Sequence, residues 1–157
     1  MLINIPLYKG ANTNRPRKIV LHAMAEFIKY ENQWMHAADF LRKIGLSAHA
    51  LVTPSGDIIK CREDIQGAYH AKGYNTDSLG IEFLVPGGHE YADFLEALKH
   101  PYISPQVFTA GVSWVKEKMD KWDIPVEEVV THQEIDPVRK FDPGAGFPLE
   151  NFLTELR

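Results

Sequence analysis

The stretch "THQEIDPVRKFDPG", residues 131–144, sets an imidazole, an ammonium and a carboxylate just ahead of a proline–glycine stop. Its usable groups are His132, Lys140 and Asp142. A second histidine, His22, stands inside the apolar run "IVLHA". A histidine in a strand is most often a hydrogen-bonded core residue. Two of them in apolar settings make a shared metal a real alternative, because neutral imidazole is the commonest protein ligand for zinc. Side chains on one face of neighbouring strands can aim two rings at one point. A catalytic zinc needs three protein ligands and an open fourth position. Asp142 is a candidate third ligand, since Pro143-Gly144 can bend the chain and turn its carboxylate back. Cys61 competes for that place, and the bland alternative for Asp142 is a solvated carboxylate before a turn.

Two further groups fit such a centre. Lys140 lies two residues before Asp142, so an extended segment would set both side chains on one face. An ammonium there could stabilise an oxyanion; otherwise it is a surface lysine. Glu82 sits between Ile81 and Phe83 in "SLGIEFL", a strand otherwise fit for burial. Burying its charge unpaired would cost several kcal/mol. Glu82 therefore either faces solvent at a sheet edge or acts as a general base. His49 in "SAHAL" and His70 in "AYHAKG" could line a cleft, while His36, His89 and His100 read as surface or capping residues. There is no H-E-x-x-H, G-x-S-x-G, P-loop or C-x-x-C pattern.

These residues need elements to hold them. "RKIVLHAM" (17–24) reads as a buried strand. Residues 36–46 form an amphipathic helix that Gly45 can close. "HALVT" and "DIIKC" are the arms of a hairpin turned by Pro54-Ser55-Gly56. "DSLGIEFLV" (77–85) is a strand ended by Pro86. Ser104-Pro105 opens a long helix with Phe108, Val112, Val115, Met119 and Trp122 as its buried stripe. "EEVVTH" (127–132) is a strand and residues 147–156 a closing helix. The segment 86–104 is expected as a surface loop. Strands alternating with helices predict an α/β fold, a single domain over residues 1–157 with a central mixed sheet flanked by helices.

Composition limits the function. Of the 157 residues 45% are apolar, which is enough for a core, and the net charge is −4. No basic stripe is present, so nucleic acid is not an expected partner. The apolar runs are too short to span a membrane. The N-terminal stretch lacks the pattern of a secretory signal, so cytoplasmic synthesis is expected. One cysteine allows no internal disulfide.

"IVLH", "SAHALVTPSGDI", "AYHAKGYNTDSLGIEF" and "THQEIDPVRKFDPGAGFP" stand in an order and spacing that resemble the zinc-dependent N-acetylmuramoyl-L-alanine amidases of the type-2 amidase family. That family takes in phage lysozyme-type amidases, anhydromuropeptide amidases of wall recycling and peptidoglycan recognition proteins. The resemblance runs from about residue 17 to the C-terminus. It implies a peptidoglycan-recognition/amidase-like fold and one zinc ion held by His22, His132 and Asp142. It implies Glu82 and Lys140 as catalytic residues; His49 and His70, which could line the cleft, stand beside them as candidate substrate-binding residues. Where many members carry a tyrosine before the hairpin histidine, this chain has Ala48. The implied substrate is peptidoglycan or a muropeptide, cut between N-acetylmuramic acid and L-alanine by a monomer. A phage endolysin reaching the wall on host-cell release is the expected role. Cytosolic recycling and a non-catalytic binding module are the alternatives.

Overall fold

The computed structural model describes residues 1–157. Its centre is a seven-stranded mixed sheet. Strands β1 (Leu2–Asn4), β5 (Ile58–Lys60), β4 (Ala50–Val52), β6 (Ser78–Gly88), β2 (Lys18–Tyr30) and β3 (Gln33–His36) lie in that order, and β7 (Val129–Thr131) also pairs with β2. β2 runs parallel to β6 and to β7, and antiparallel to β3. Helices α1 (Ala37–Ile44), α2 (Tyr91–Ala97), α3 (Pro105–Trp122), α4 (His132–Ile135) and α5 (Leu149–Leu156) complete the α/β fold. None is long and apolar enough to cross a membrane.

The alternation of β2 and β6 divides the molecule. Odd positions Ile19, Leu21, Leu79, Ile81 and Phe83 enter the main core, where α3 and α5 cover them. The even positions His22 and Glu82 are register partners on the opposite face. A smaller core there joins Leu84 and Leu51 to Ala37, Ala38 and Leu41 of α1. α1 starts on the His36 side chain, which accepts from Ala38 N–H, and ends at Gly45, whose φ is 76°.

Several elements differ from expectation. β2 continues to Tyr30 and turns into β3 through Glu31 and Asn32, both at positive φ. β6 runs through Pro86 to Gly88, because the Glu26 carboxylate accepts from Gly87 N–H where the β2–β6 register shifts. The expected loop 86–104 contains α2. His132 lies not in a strand but in the first turn of α4, which Thr131 caps by accepting from Glu134 N–H. In α3 the fully buried line is Val107, Gly111 and Val115; Phe108, Val112, Met119 and Trp122 flank it, only partly buried.

Gly111 is where α3 comes closest to the sheet. A Cβ there would stand 2.6 Å from Phe83 Cε1 and 3.2 Å from Phe152 Cε2. Phe83 is wholly buried and packed against the rings of Phe147 and Phe152, so it has nowhere to move. Alanine in place of a helix glycine gains up to about 1 kcal/mol in propensity. Overpacking costs about 1–3 kcal/mol. With the full propensity gain set against that cost, Gly111→Ala should lose about 1 kcal/mol, the middle of a range of about 0–2, in urea denaturation. An unchanged or raised midpoint would show that Phe83 can yield.

Candidate metal centre

The five residues singled out for chemistry meet at the C-terminal side of the β2–β6–β7 pairing. The register sets His22 beside Glu82. β7 pairs with β2 up to Leu21–Thr131, which brings the next residue, His132, to His22. Asp142 returns from the loop after α4. Its carbonyl accepts from Gln133 N–H at 2.9 Å, and the Tyr102 hydroxyl donates to Pro143 O at 2.7 Å. Ala23 N–H donates to Asp142 Oδ2 at 3.2 Å. The Asp142–Pro143 peptide is cis, and Gly144 follows at positive φ.

The resulting geometry is tight. His22 Nδ1 and His132 Nδ1 are 2.9 Å apart. Asp142 Oδ2 is 3.2 Å from His132 Nδ1 and 3.4 Å from His22 Nδ1. One donor atom from each of the three lies within 4.8 Å of the others. Two imidazole nitrogens and a carboxylate this close need a proton or a cation between them, and this donor set suits zinc. Glu82 Oε1 lies 3.8 Å from His22 Nδ1, and Glu82 Oε2 is buried with no hydrogen-bond partner. His132 Nε2 is likewise buried and unpartnered. Cys61 packs in the small core away from this cluster, so it does not compete for the third place.

Burial and charge set the protonation. Burial pushes Glu82 well above the usual carboxylate range; the Asp142 charge adds to that, and Lys140 opposes it. Burial acts on Asp142 in the same sense. There the hydrogen bonds and charges of His132 and His22 outweigh it and hold the carboxyl well below its ordinary value. Burial lowers His22 despite Asp142, and lowers His70 further.

The cluster opens into a cavity of about 800 Å³. Lys140 lines it, and its side chain makes no ion pair. Its neighbour Arg139 is held by Asp136 at 2.8 and 2.6 Å. Apolar side chains including Ile44, Leu46, Tyr69 and Phe141 form much of the wall.

The profile of the family described as N-acetylmuramoyl-L-alanine amidase matches residues 12–145, most of the chain. The chain belongs to that family. The match spans all five residues of the cluster and its surroundings. Among solved structures, the amidase is similar to the N-acetylmuramoyl-L-alanine amidase LysC from Clostridium intestinale, with a TM-score of 0.73 and 21% identity over 99% of this chain and 97% of that one. It is similar to AmpD, with a TM-score of 0.76 and 16% identity over 99% and 94%. A third similar structure is AmiD from E. coli, at a TM-score of 0.70 and 24% identity over 92% of this chain and 59% of that one. No curated protein matches the sequence.

The two histidines expected to line the cleft differ in this amidase. His49 does not line the cavity. It is 2% exposed; its Nδ1 accepts from Gly80 N–H at 3.0 Å, and its Nε2 donates to Gln66 O at 2.7 Å. It ties the hairpin to β6. His70 does line the cavity, but both its ring nitrogens are engaged by protein groups, His22 and Ser78. Neither offers a ring nitrogen to a substrate. Ser78 and Gly80, four and two residues before Glu82 on the same strand, carry no signal of this role in the sequence.

His49 makes the fold sensitive to acid. Burial depresses it from 6.5 to about 4. The unfolded chain takes up a proton near 6.5 and the folded chain only near 4. Stability is thus complete above the unfolded value and is lost as pH falls from about 6.5 to about 4, by about 3 kcal/mol in all. His49→Gln should flatten this limb when urea unfolding is followed between pH 7 and 4.5. An equally steep limb in the variant would assign the sensitivity elsewhere.

Proposed function

We propose that this amidase is zinc-dependent, with His22, His132 and Asp142 as the ligands. The observation that carries the reading is the convergence of those three side chains beside a buried carboxylate with an unpartnered oxygen. When bound, zinc would supply the Lewis acidity that makes a water nucleophilic near neutral pH. Each remaining task falls to a residue of the chain. Glu82, held nearly out of solvent, accepts the proton of the attacking water. Its raised affinity for protons suits that task. Asp142 stays ionised and draws both rings toward one point. Lys140, the cavity's unpaired cation, stabilises negative charge on the lactyl carbonyl oxygen as water attacks. Glu82 then returns its proton to the departing L-alanine nitrogen. The apolar walls exclude water and strengthen these charges.

The substrate is peptidoglycan or a muropeptide, cut at the N-acetylmuramoyl–L-alanine amide. The AmiD structure contains a muropeptide with that bond, and the unpaired Lys140 ammonium suits an anionic stem peptide. We read the biological role as wall lysis in the manner of an endolysin, supported by nearly full-length similarity to the endolysin amidase LysCS from Clostridium intestinale. The anhydro-muropeptide bound in the AmiD structure supports soluble muropeptides, and with them a recycling role, as the alternative. Comparing digestion of intact sacculi with that of anhydromuropeptides separates the two.

Replacing His132 by Ala should remove both bound zinc and hydrolysis. Glu82→Gln should keep zinc and lose about 100- to 10,000-fold in rate, as for a general base. Loss of zinc in Glu82→Gln would move Glu82 into the ligand set.

Lys140→Met keeps the aliphatic stem and removes the charge. A surface lysine would tolerate this within about 0.5 kcal/mol. An oxyanion partner would lose about 100- to 1,000-fold, in kcat more than in KM. Normal zinc with near-normal kcat in this variant would take lysine out of the mechanism.

A further inference from the structure

The ring of His22 has two nitrogens, and only one faces the cluster. His22 Nδ1 faces His132 and Asp142, whereas His22 Nε2 lies 2.8 Å from His70 Nδ1. The proton positions along this side follow from the far end. Ser78 Oγ donates to Tyr74 O at 2.6 Å, a carbonyl that can only accept. The hydroxyl proton is thereby committed, so Ser78 Oγ accepts from His70 Nε2 at 2.9 Å. A neutral imidazole carries one proton. With that proton on Nε2, His70 Nδ1 is an acceptor, and His22 Nε2 must donate to it. The lone pair of His22 is then on Nδ1, toward the cluster.

The surrounding chain is built to hold this line. Asn75 Oδ1 accepts from the backbone N–H of both His70 and Ala71, at 3.0 and 2.9 Å. The loop is thereby clasped with the His70 ring over Gly80, where a Cβ would stand 2.5 Å from His70 Nδ1. Only glycine leaves room for the ring. Ser78 and His22 sit on the same face of adjacent parallel strands, on either side of it. His132 has no such support, because its Nε2 is unpartnered.

We propose that His70 and Ser78 form a relay, ending on Tyr74 O, that fixes His22 as its Nε2–H tautomer with the Nδ1 lone pair facing a bound cation. His70 and Ser78 are positioning residues and touch no substrate atom through this line. The proposal deepens the zinc assignment above and rests on it for the identity of the cation. In Ser78→Ala the His70 proton loses its acceptor and can move to Nδ1. That places a donor against His22 and drives the His22 proton to Nδ1, where it blocks a metal.

Long-range proton–nitrogen correlation spectra of the metal-free, 15N-labelled protein read the tautomers directly. Both His22 and His70 should be Nε2–H in the natural sequence, with His22 shifting toward Nδ1–H in Ser78→Ala. Competition with a chromophoric chelator reads zinc affinity. Ser78→Ala and His70→Phe should bind zinc about 10- to 100-fold more weakly, the usual effect of losing a partner behind a ligand. The milder Ser78→Ala keeps the proposal testable if His70→Phe fails to fold. A His22 found as Nδ1–H in the natural protein would overturn the relay. So would zinc affinity in Ser78→Ala within twofold of the natural protein. A natural protein that shows the expected tautomers but binds no zinc would sustain the relay and sink the zinc assignment.

Discussion

The parallel pairing of β2 with β6 is the constraint on which the rest depends. One register, His22 opposite Glu82, places a ring nitrogen and a carboxylate side by side without help from any loop. The same register sends Ile19, Leu21, Leu79, Ile81 and Phe83 into the main core on the other face. A slip of one residue would exchange the faces, burying His22 and Glu82 among aromatic rings and exposing the core. The site is thus protected by the hydrophobic effect acting on residues that never touch it. Phe83 alone, wedged under Gly111, is enough to make the wrong register costly.

That frame carries an electrostatic liability. Glu82 and Asp142 are both nearly buried, and their charges repel. The protein treats them differently. Asp142 is compensated by two rings and a backbone N–H, and ionises readily. Glu82 has Lys140 as its opposing charge but no hydrogen bond on Oε2. The two carboxylates are thereby pushed apart in proton affinity, one toward holding a cation and the other toward handling a proton. This division follows from the number of donors each oxygen meets, not from residue type.

Much of this was legible in the sequence, and the failures have identifiable causes. The short apolar runs "IVLHA" and "SLGIEFLV" mark the two central strands, and Gly45 marks the end of α1. The hairpin β2–β3 was missed because its turn uses Glu31 and Asn32 at positive φ, where asparagine–glycine is the usual signal. Helix α2 was missed because Glu90 provides no side-chain cap and none of its residues is buried. Its contribution to stability is small, so its imprint on the pattern is weak. The β-branched Val129, Val130 and Thr131 ahead of His132 extend the strand pattern into it. The threonine serves both as the last strand residue and as the helix cap.

The histidines show where pattern stops and geometry begins. His22, His49, His70 and His132 are all found near the sheet, and their ring centroids lie 4.3–5.9 Å apart in succession. Their roles differ by what meets the second nitrogen. His49 is closed by a backbone N–H on one side and a carbonyl on the other, and so is structural. His70 is closed by a serine and a histidine, and passes orientation from one to the other. His22 keeps one nitrogen toward the cluster because His70 occupies the other. The period of two in Ser78, Gly80 and Glu82 encodes this arrangement. Ser78 is the end of the His70 line, Gly80 the gap that admits the ring, and Glu82 the carboxylate beyond it. In this strand the small residue between the hydroxyl and the buried carboxylate is what lets the His70 ring lie across it, since a Cβ at Gly80 would stand 2.5 Å from His70 Nδ1.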